Sequence, residues 1–390
     1  MKFDFDKVVN RRNTHSAKWD AMGVATGVTT DDAIAMWVAD MDFEAPPAVK
    51  EALLEEVNRS VHGYYANDIT WRTAMSDFLN RHHNWQPDPD HIIPTPGVVS
   101  ALGMVLQAVS EKDDSVVVFS PVYHAFGKII KANQRQMFSH PLINEHGRYK
   151  MDIEGLAKTI PNNAKVVFFC SPHNPGGTVW SKEEIEELAN FCVERDLYLV
   201  SDEVHHDLVY SQAKHHITAT TSPQIEDKLF TCVAASKTFN LAGAHIGGMI
   251  ISNNELRVKF KKIAAQSGLL SYPLFGMIAS EAAQVHGDKW LAELIPYLQA
   301  NRDLVETAFP TAIKGCKPMA LQSTYLAWID FSQVELPMEE VKKRVFKGAR
   351  IAASPGIQFG QEGKNCLRFN FATPKSLIIE VIDRLSEEFE

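Results

Sequence analysis

The chain has 390 residues, 45% hydrophobic and 22% charged, with 39 Lys and Arg against 48 Asp and Glu for a formal net charge of −9. That length can bury a large core in two or three domains, and the composition is ordinary for a soluble globular protein. The negative balance argues against sequence-independent nucleic-acid binding, which needs basic surface to displace counterions, and no apolar run is long enough to cross a bilayer.

The opening MKFDFDKVVNRRN is charged and lacks the apolar core of a secretory signal, so a cytoplasmic location is expected. IPTPGVVSALGMVLQAV (93–109) predicts a close backbone approach at Gly97 and a helix directly after it. Short apolar runs without in–out alternation then read as buried strands: SVVVFSP (115–121), AKVVFFCSP (164–172), LYLVSDE (197–203), KLFTCVAAS (228–236) and GGMIIS (247–252). Helical patterns separate several of them, such as SKEEIEELANFCVERD (181–196), with Ser181 as N-cap and Glu184 three residues on. Buried strands joined through helices imply an α/β fold whose largely parallel sheet is covered on both faces. NCLRFNFA (365–372) reads as a later strand and PKSLIIEVIDRLSEEFE (374–390) as an amphipathic closing helix. The expected division is a large domain over 46–289 and a smaller α/β domain from 1–45 and 290–390. Five scattered cysteines without a CxxC pair indicate neither a disulfide framework nor a zinc ribbon, and Cys170 and Cys232 read as buried thiols.

In open parallel sheets, ligands bind beyond the carboxyl ends of the strands. Those ends present Tyr123, His173-Asn174, Asp202 and Ser236-Lys237 in turn. Each has a plainer reading alone: a core aromatic, a turn, a helix cap, a surface lysine. Their shared position at one rim favours a site. The set meets the needs of pyridoxal phosphate. Its aldehyde requires a lysine, its pyridine nitrogen an anion, its ring a flat partner, and its phosphate the N–H groups of a helix start such as the one after Gly97.

SPHNPGG, SDEVHHD and SKTFNLAG, in this order, resemble the fold-type I pyridoxal-phosphate enzymes of the aspartate aminotransferase superfamily. VTTDDAIAMWVADMDFEAPPAVKEAL followed by HGYY is similar to the branch of cystathionine β-lyases and cysteine-S-conjugate β-lyases. The resemblance runs from Phe5 to the final helix. It implies that Lys237 forms the Schiff base and later shuttles the Cα proton, and that Asp202 pairs with the pyridine nitrogen. It also implies that Asn174 bonds the phenolic oxygen, Tyr123 stacks on the ring, and Gly97, Val98, Val99 and Ser236 hold the phosphate. Tyr64 would reach the phosphate from a neighbouring subunit, making a homodimer the minimal active form, and Arg368 would clamp the substrate carboxylate.

Three positions depart from the wider superfamily. His205 replaces a tyrosine near the phenolic oxygen, Ala39 replaces a glycine that contacts substrate, and His245 replaces a phosphate-binding arginine. The implied reaction is α,β-elimination of a sulfur amino acid, L-cystathionine or a cysteine S-conjugate, to thiol, pyruvate and ammonia. Transamination and a protein-binding regulatory role remain the alternatives, since spacing and composition do not choose among them. Histidine pairs at 82–83, 205–206 and 215–216 raise a metallohydrolase reading, but no HExxH spacing supports it and adjacent histidines point apart, so no metal is expected.

Overall fold

The structure, a computed structural model, describes residues 3–390. Its main sheet has seven strands: β1 (Ile92–Thr95), β2 (Ser115–Ser120), β3 (Gln136–Pro141), β4 (Ala164–Cys170), β5 (Tyr198–Asp202), β6 (Leu229–Val233) and β7 (Gly247–Ile250), in the order β1-β7-β6-β5-β4-β2-β3. Strands β2 to β6 pair in parallel. Their lack of alternation has a simple cause, because both faces are covered. Val116, Val118, Val166 and Phe168 enter one hydrophobic cluster, while Val117, Phe119, Val167 and Phe169 enter the other.

Two expectations need correction. GGMIIS does not join the parallel set, since β7 runs antiparallel to both β1 and β6. The connection from β6 runs over residues 234–246 and holds only the single helical turn Ala235–Thr238 and the short turn Ala242–Ala244, with no helix long enough to cross a face of the sheet back to the starting end. The run 228–236 is not one strand either. It ends at Val233, and Ala235–Thr238 forms a single helical turn, so Lys237 stands on that turn beyond β6.

The helix Lys182–Glu194 begins with a full capping box. Ser181 Oγ accepts from Glu184 N at 3.2 Å, and Glu184 Oε2 accepts from Ser181 N at 2.8 Å, worth about 1 kcal/mol together with the cap. Its buried stripe is Ile185, Leu188, Ala189 and Cys192. The helix Val98–Val109 follows Gly97, whose φ of 80° and ψ of 160° are accessible essentially to glycine alone.

A second, antiparallel sheet comprises Lys317–Pro318, Leu326–Asp330, Cys366–Asn370 and Ser354–Pro355. Its register sets Arg368 between Trp328 and Ser354. The start of the chain joins this sheet's surroundings, because Ile34–Ala35 pairs in parallel with Ile351–Ala352. The closing helix Lys375–Phe389 buries Ile378, Val381 and Leu385.

Between the two sheets runs the segment 37–42. It is held by a buried ion cluster: Lys18 Nζ lies 2.6 Å from Asp42 Oδ2, Arg11 lies 2.9 Å from Asp42 Oδ1 and 2.8 Å from Asp40 Oδ2, and Trp19 Nε1 donates to Asp42 Oδ1 at 2.9 Å. Lys18 and Asp42 have almost no exposed side-chain surface. Such a pair contributes little net stability against an apolar replacement, yet removing one partner strands a buried charge.

Candidate active site

Asp202 closes β5, paired in register with Cys170 of β4 on one side and Cys232 of β6 on the other. Its side chain is buried, and the hydrogen bond it accepts is weak: the Val204 N–H reaches Oδ1 at 3.4 Å. Among the described residues no Lys, Arg or His forms an ion pair with it. Burial therefore raises its carboxyl to about 7. A carboxylate placed so lacks a cation.

Lys237 is partly buried and donates from Nζ to the Ala39 carbonyl at 2.8 Å. Burial and the nearby Arg368 lower its amine to about 8. Arg368 is buried and donates from Nη1 to Asn174 Oδ1 at 3.0 Å and from Nη2 to the Trp37 carbonyl at 2.8 Å. Its guanidinium carbon lies 4.7 Å from the centre of the Phe359 ring, and its Nε has no partner. Desolvation brings this guanidinium down to about 10. An arginine whose Nε is unsatisfied and whose hydrogen-bond partners are neutral is ready for an anion.

Tyr123 caps the helix His124–Ala132, and burial with the field of Asp202 raises its phenol. His205 is buried with Nδ1 unpartnered, 6.1 Å between ring centres from Tyr325. Desolvation, Lys237 and Arg368 hold it well below an ordinary histidine, so its ring is neutral. Ser236 precedes Lys237 on the same helical turn. Gly97, Val98 and Val99 form the helix start, whose first N–H groups have no partner within the helix.

His245 is exposed and left-handed, at φ 52°, and a Cβ built on Gly97 would fall 3.4 Å from its Nδ1. The histidine thus lies beside the helix start. Tyr64 stands 96% exposed, so it cannot be packed into the pocket of its own chain.

Several side chains at this site were not among the expected residues. Tyr325 donates to the Ala39 carbonyl at 3.0 Å, the oxygen that Lys237 also uses. Ser354 Oγ lies 3.4 Å from Arg368 Nη2. His124, lowered to about 4 by burial and by Arg368, sits 5.7 Å from Phe359 between ring centres. Trp37 lies inside the quoted stretch WVADMDF, but Tyr325 and Phe359 belong to no motif that would have flagged them.

The arrangement fits pyridoxal phosphate. Asp202 lacks a cation that a pyridinium supplies, Lys237 is a partly exposed amine of lowered basicity, and the Gly97 helix start offers N–H groups to a phosphate. Together with the mostly parallel sheet, they define a fold-type I pyridoxal-phosphate enzyme.

The family model for aminotransferase class I and II matches residues 32–385, and the chain belongs to that family. It is 38% identical to cystathionine beta-lyase PatB of Bacillus subtilis, across 94% of this chain and 95% of that one. It is 30% identical to Protein MalY of Escherichia coli, across 96% and 95%. Cystalysin of Treponema denticola, solved with pyridoxal 5′-phosphate, superposes with a TM-score of 0.95 at 31% identity, covering 100% of this chain and 99% of the other.

Proposed function

We propose that this chain is a pyridoxal-phosphate-dependent carbon–sulfur β-lyase acting on L-cystathionine or related cysteine S-conjugates. The observation that carries the reading is the 38% identity to a cystathionine β-lyase over 94% of the chain. Pyridoxal phosphate, when bound, supplies an aldehyde that condenses with amines and a pyridinium ring that draws electrons from Cα.

The residues divide the remaining work. Asp202 would keep the ring nitrogen protonated, the ion pair offsetting the burial that otherwise neutralises its carboxyl. Gly97, Val98, Val99 and Ser236 would hold the phosphate, and Tyr123 would pack against the ring. Asn174 Oδ1 accepts from Arg368 Nη1, which leaves its Nδ2 donors free for the phenolic oxygen that the cofactor would present. Arg368 fixes the substrate carboxylate, and the Ala39 segment closes beside it. Lys237, with its amine near 8, takes the Cα proton at close to neutral pH. The sulfur then leaves Cβ as a thiol, and the three-carbon remainder hydrolyses to pyruvate and ammonia.

An aminotransferase is the second reading, favoured by the family's description and by the fact that the same residues serve both reactions. We also take the enzyme to be a cytoplasmic homodimer in which Tyr64 serves the partner's site. The large domain is assigned to 46–289 and the small one to 1–45 and 290–390. No helix among the described residues is long and apolar enough to cross a membrane. The test supplies a cysteine S-conjugate without a keto acid: a lyase releases thiol continuously, whereas an aminotransferase stops after its cofactor is converted once.

A further inference from the structure

Two histidines that this reaction leaves unused, His83 and His206, meet across Asp207, which also accepts from Thr238, the neighbour of Lys237. The helix Ile69–His83 ends by placing His83 against the turn after β5, where His206 and Asp207 lie. His83 Nε2 is 2.7 Å from Asp207 Oδ1, and His206 Nε2 is 3.3 Å from Asp207 Oδ2. One donor atom from each residue falls within 4.8 Å of the others. The side chains of His83, His206 and Asp207 are 9%, 3% and 2% exposed.

The contacts contain an unmet demand. His206 Nδ1 touches the Glu203 carbonyl, a contact that requires an N–H there, and in the neutral ring Nε2 then bears a lone pair. That lone pair has no hydrogen-bond partner and faces a carboxylate oxygen. Asp207 accepts from His83 and, at 2.6 Å, from Thr238 Oγ1, so it has no proton to offer His206. Glu203 nearby is already matched, by His215 at 2.8 Å, Ser201 at 2.8 Å and the Thr218 N–H at 3.1 Å. Beside the cluster is a cavity of about 10 Å³, lined by Met75, Phe78, His206, Asp207 and Gln284, with room for roughly one water. Gln284 Oε1 is a second buried acceptor without a partner.

We propose that His83, His206 and Asp207 bind a divalent cation of the zinc class, with a water in the adjoining cavity as fourth ligand. Two imidazoles and one carboxylate suit zinc, cobalt or nickel, whereas magnesium and calcium prefer oxygen throughout. Tetrahedral bonds of about 2.0–2.1 Å separate ligand atoms by roughly 3.4 Å. The His206 Nε2–Asp207 Oδ2 contact, at 3.3 Å, already has nearly that span, and His83, 2.7 Å from the other carboxylate oxygen and on the last turn of its helix, must withdraw by about 0.7 Å. The cation takes the place of the proton on His83 Nε2: a neutral ring carries its proton on Nδ1 instead, and an imidazolium releases one proton to solvent. The bound water donates to Gln284 Oε1. The site is structural: its cavity has no room for a substrate, and it ties a helix end and the turn after β5 to Thr238, the neighbour of Lys237.

The test uses chelator-treated holoenzyme dialysed against zinc chloride, with metal analysis and thermal melting. One zinc per subunit and a raised melting temperature are expected. His83→Gln, at the edge of the site, should keep the cofactor's visible absorption, which reports folding, while zinc binding weakens by about tenfold or more. His82→Gln, at the more exposed neighbour, should bind zinc as the parent does. Absence of stoichiometric zinc in the parent, or undiminished binding in a folded His83→Gln, overturns the proposal and leaves the cavity to water alone.

Discussion

Lys237 and Tyr325 donate to one oxygen, the carbonyl of Ala39, at 2.8 and 3.0 Å. A lysine beyond β6 and a tyrosine beside the second sheet are thereby joined through the N-terminal segment. The segment's position depends in turn on Asp42, which Lys18, Arg11 and Trp19 surround. Lys18→Met leaves part of that carboxylate's charge unmatched in a buried setting. The expected cost is about 3–5 kcal/mol, read by denaturant unfolding, with a loss of kcat/KM as the Ala39 carbonyl shifts. Lys18→Met combined with Asp42→Asn should recover part of the stability, since the stranded charge is gone. Strictly additive losses would show that the two residues do not act as a pair.

Asp202 gives the apoenzyme a pH signature. Its folded carboxyl titrates near 7, above the usual 3.9 of an unfolded chain, so the folded state binds the extra proton between those values. Stability is then fullest below about pH 4 as far as this group is concerned, and falls as pH rises towards 7, by up to about 4 kcal/mol. Lys237 acts in the opposite sense, but only above about pH 8, where its lowered amine titrates. Melting of the apoenzyme between pH 5 and 7.5 should therefore show a decline that Asp202→Asn removes. Added pyridoxal phosphate should also remove it. A decline unchanged in Asp202→Asn would assign the proton elsewhere.

Arg368→Lys tests the carboxylate clamp. Lysine keeps the charge but cannot bond Asn174 and Trp37 while presenting a planar fork to a carboxylate. We expect kcat/KM to fall about 100-fold or more, mostly through KM, while cofactor absorption is retained. A purely lowered kcat would show that Arg368 acts on the reacting bonds and not on substrate binding.

Tyr64 tests the shared site. It is 96% exposed within one chain, a large aromatic that its own fold leaves to solvent. Hybrids of Tyr64→Ala and Lys237→Ala subunits should regain activity that neither homodimer has, because one of their two sites receives both intact residues. If Tyr64 serves its own chain, no hybrid site is intact and activity stays at background.

The strands of the main sheet are legible in the sequence because burial on both faces erases alternation, leaving continuous apolar runs. Strand direction is not legible in the same way, and β7 runs antiparallel although its composition matches its neighbours. Lys237 reads as a strand-end residue because small residues continue past Val233, while the helical turn there depends on local bonds such as Phe239 N to Ala235 O at 2.9 Å. Asn174 and Arg368 lie 194 residues apart, and only the family resemblance joins them from the sequence. Tyr325, Phe359 and the His83–Asp207 contact, 124 residues apart, rest on tertiary packing that no local pattern announces.

The most direct test of the central claim incubates the holoenzyme with L-cystathionine and no keto acid, following pyruvate and free thiol together. Both should appear at equal rates over many turnovers, and Lys237→Ala should abolish them. Pyruvate and thiol at background, with an added keto acid converted to its amino acid, would contradict it and make the enzyme an aminotransferase.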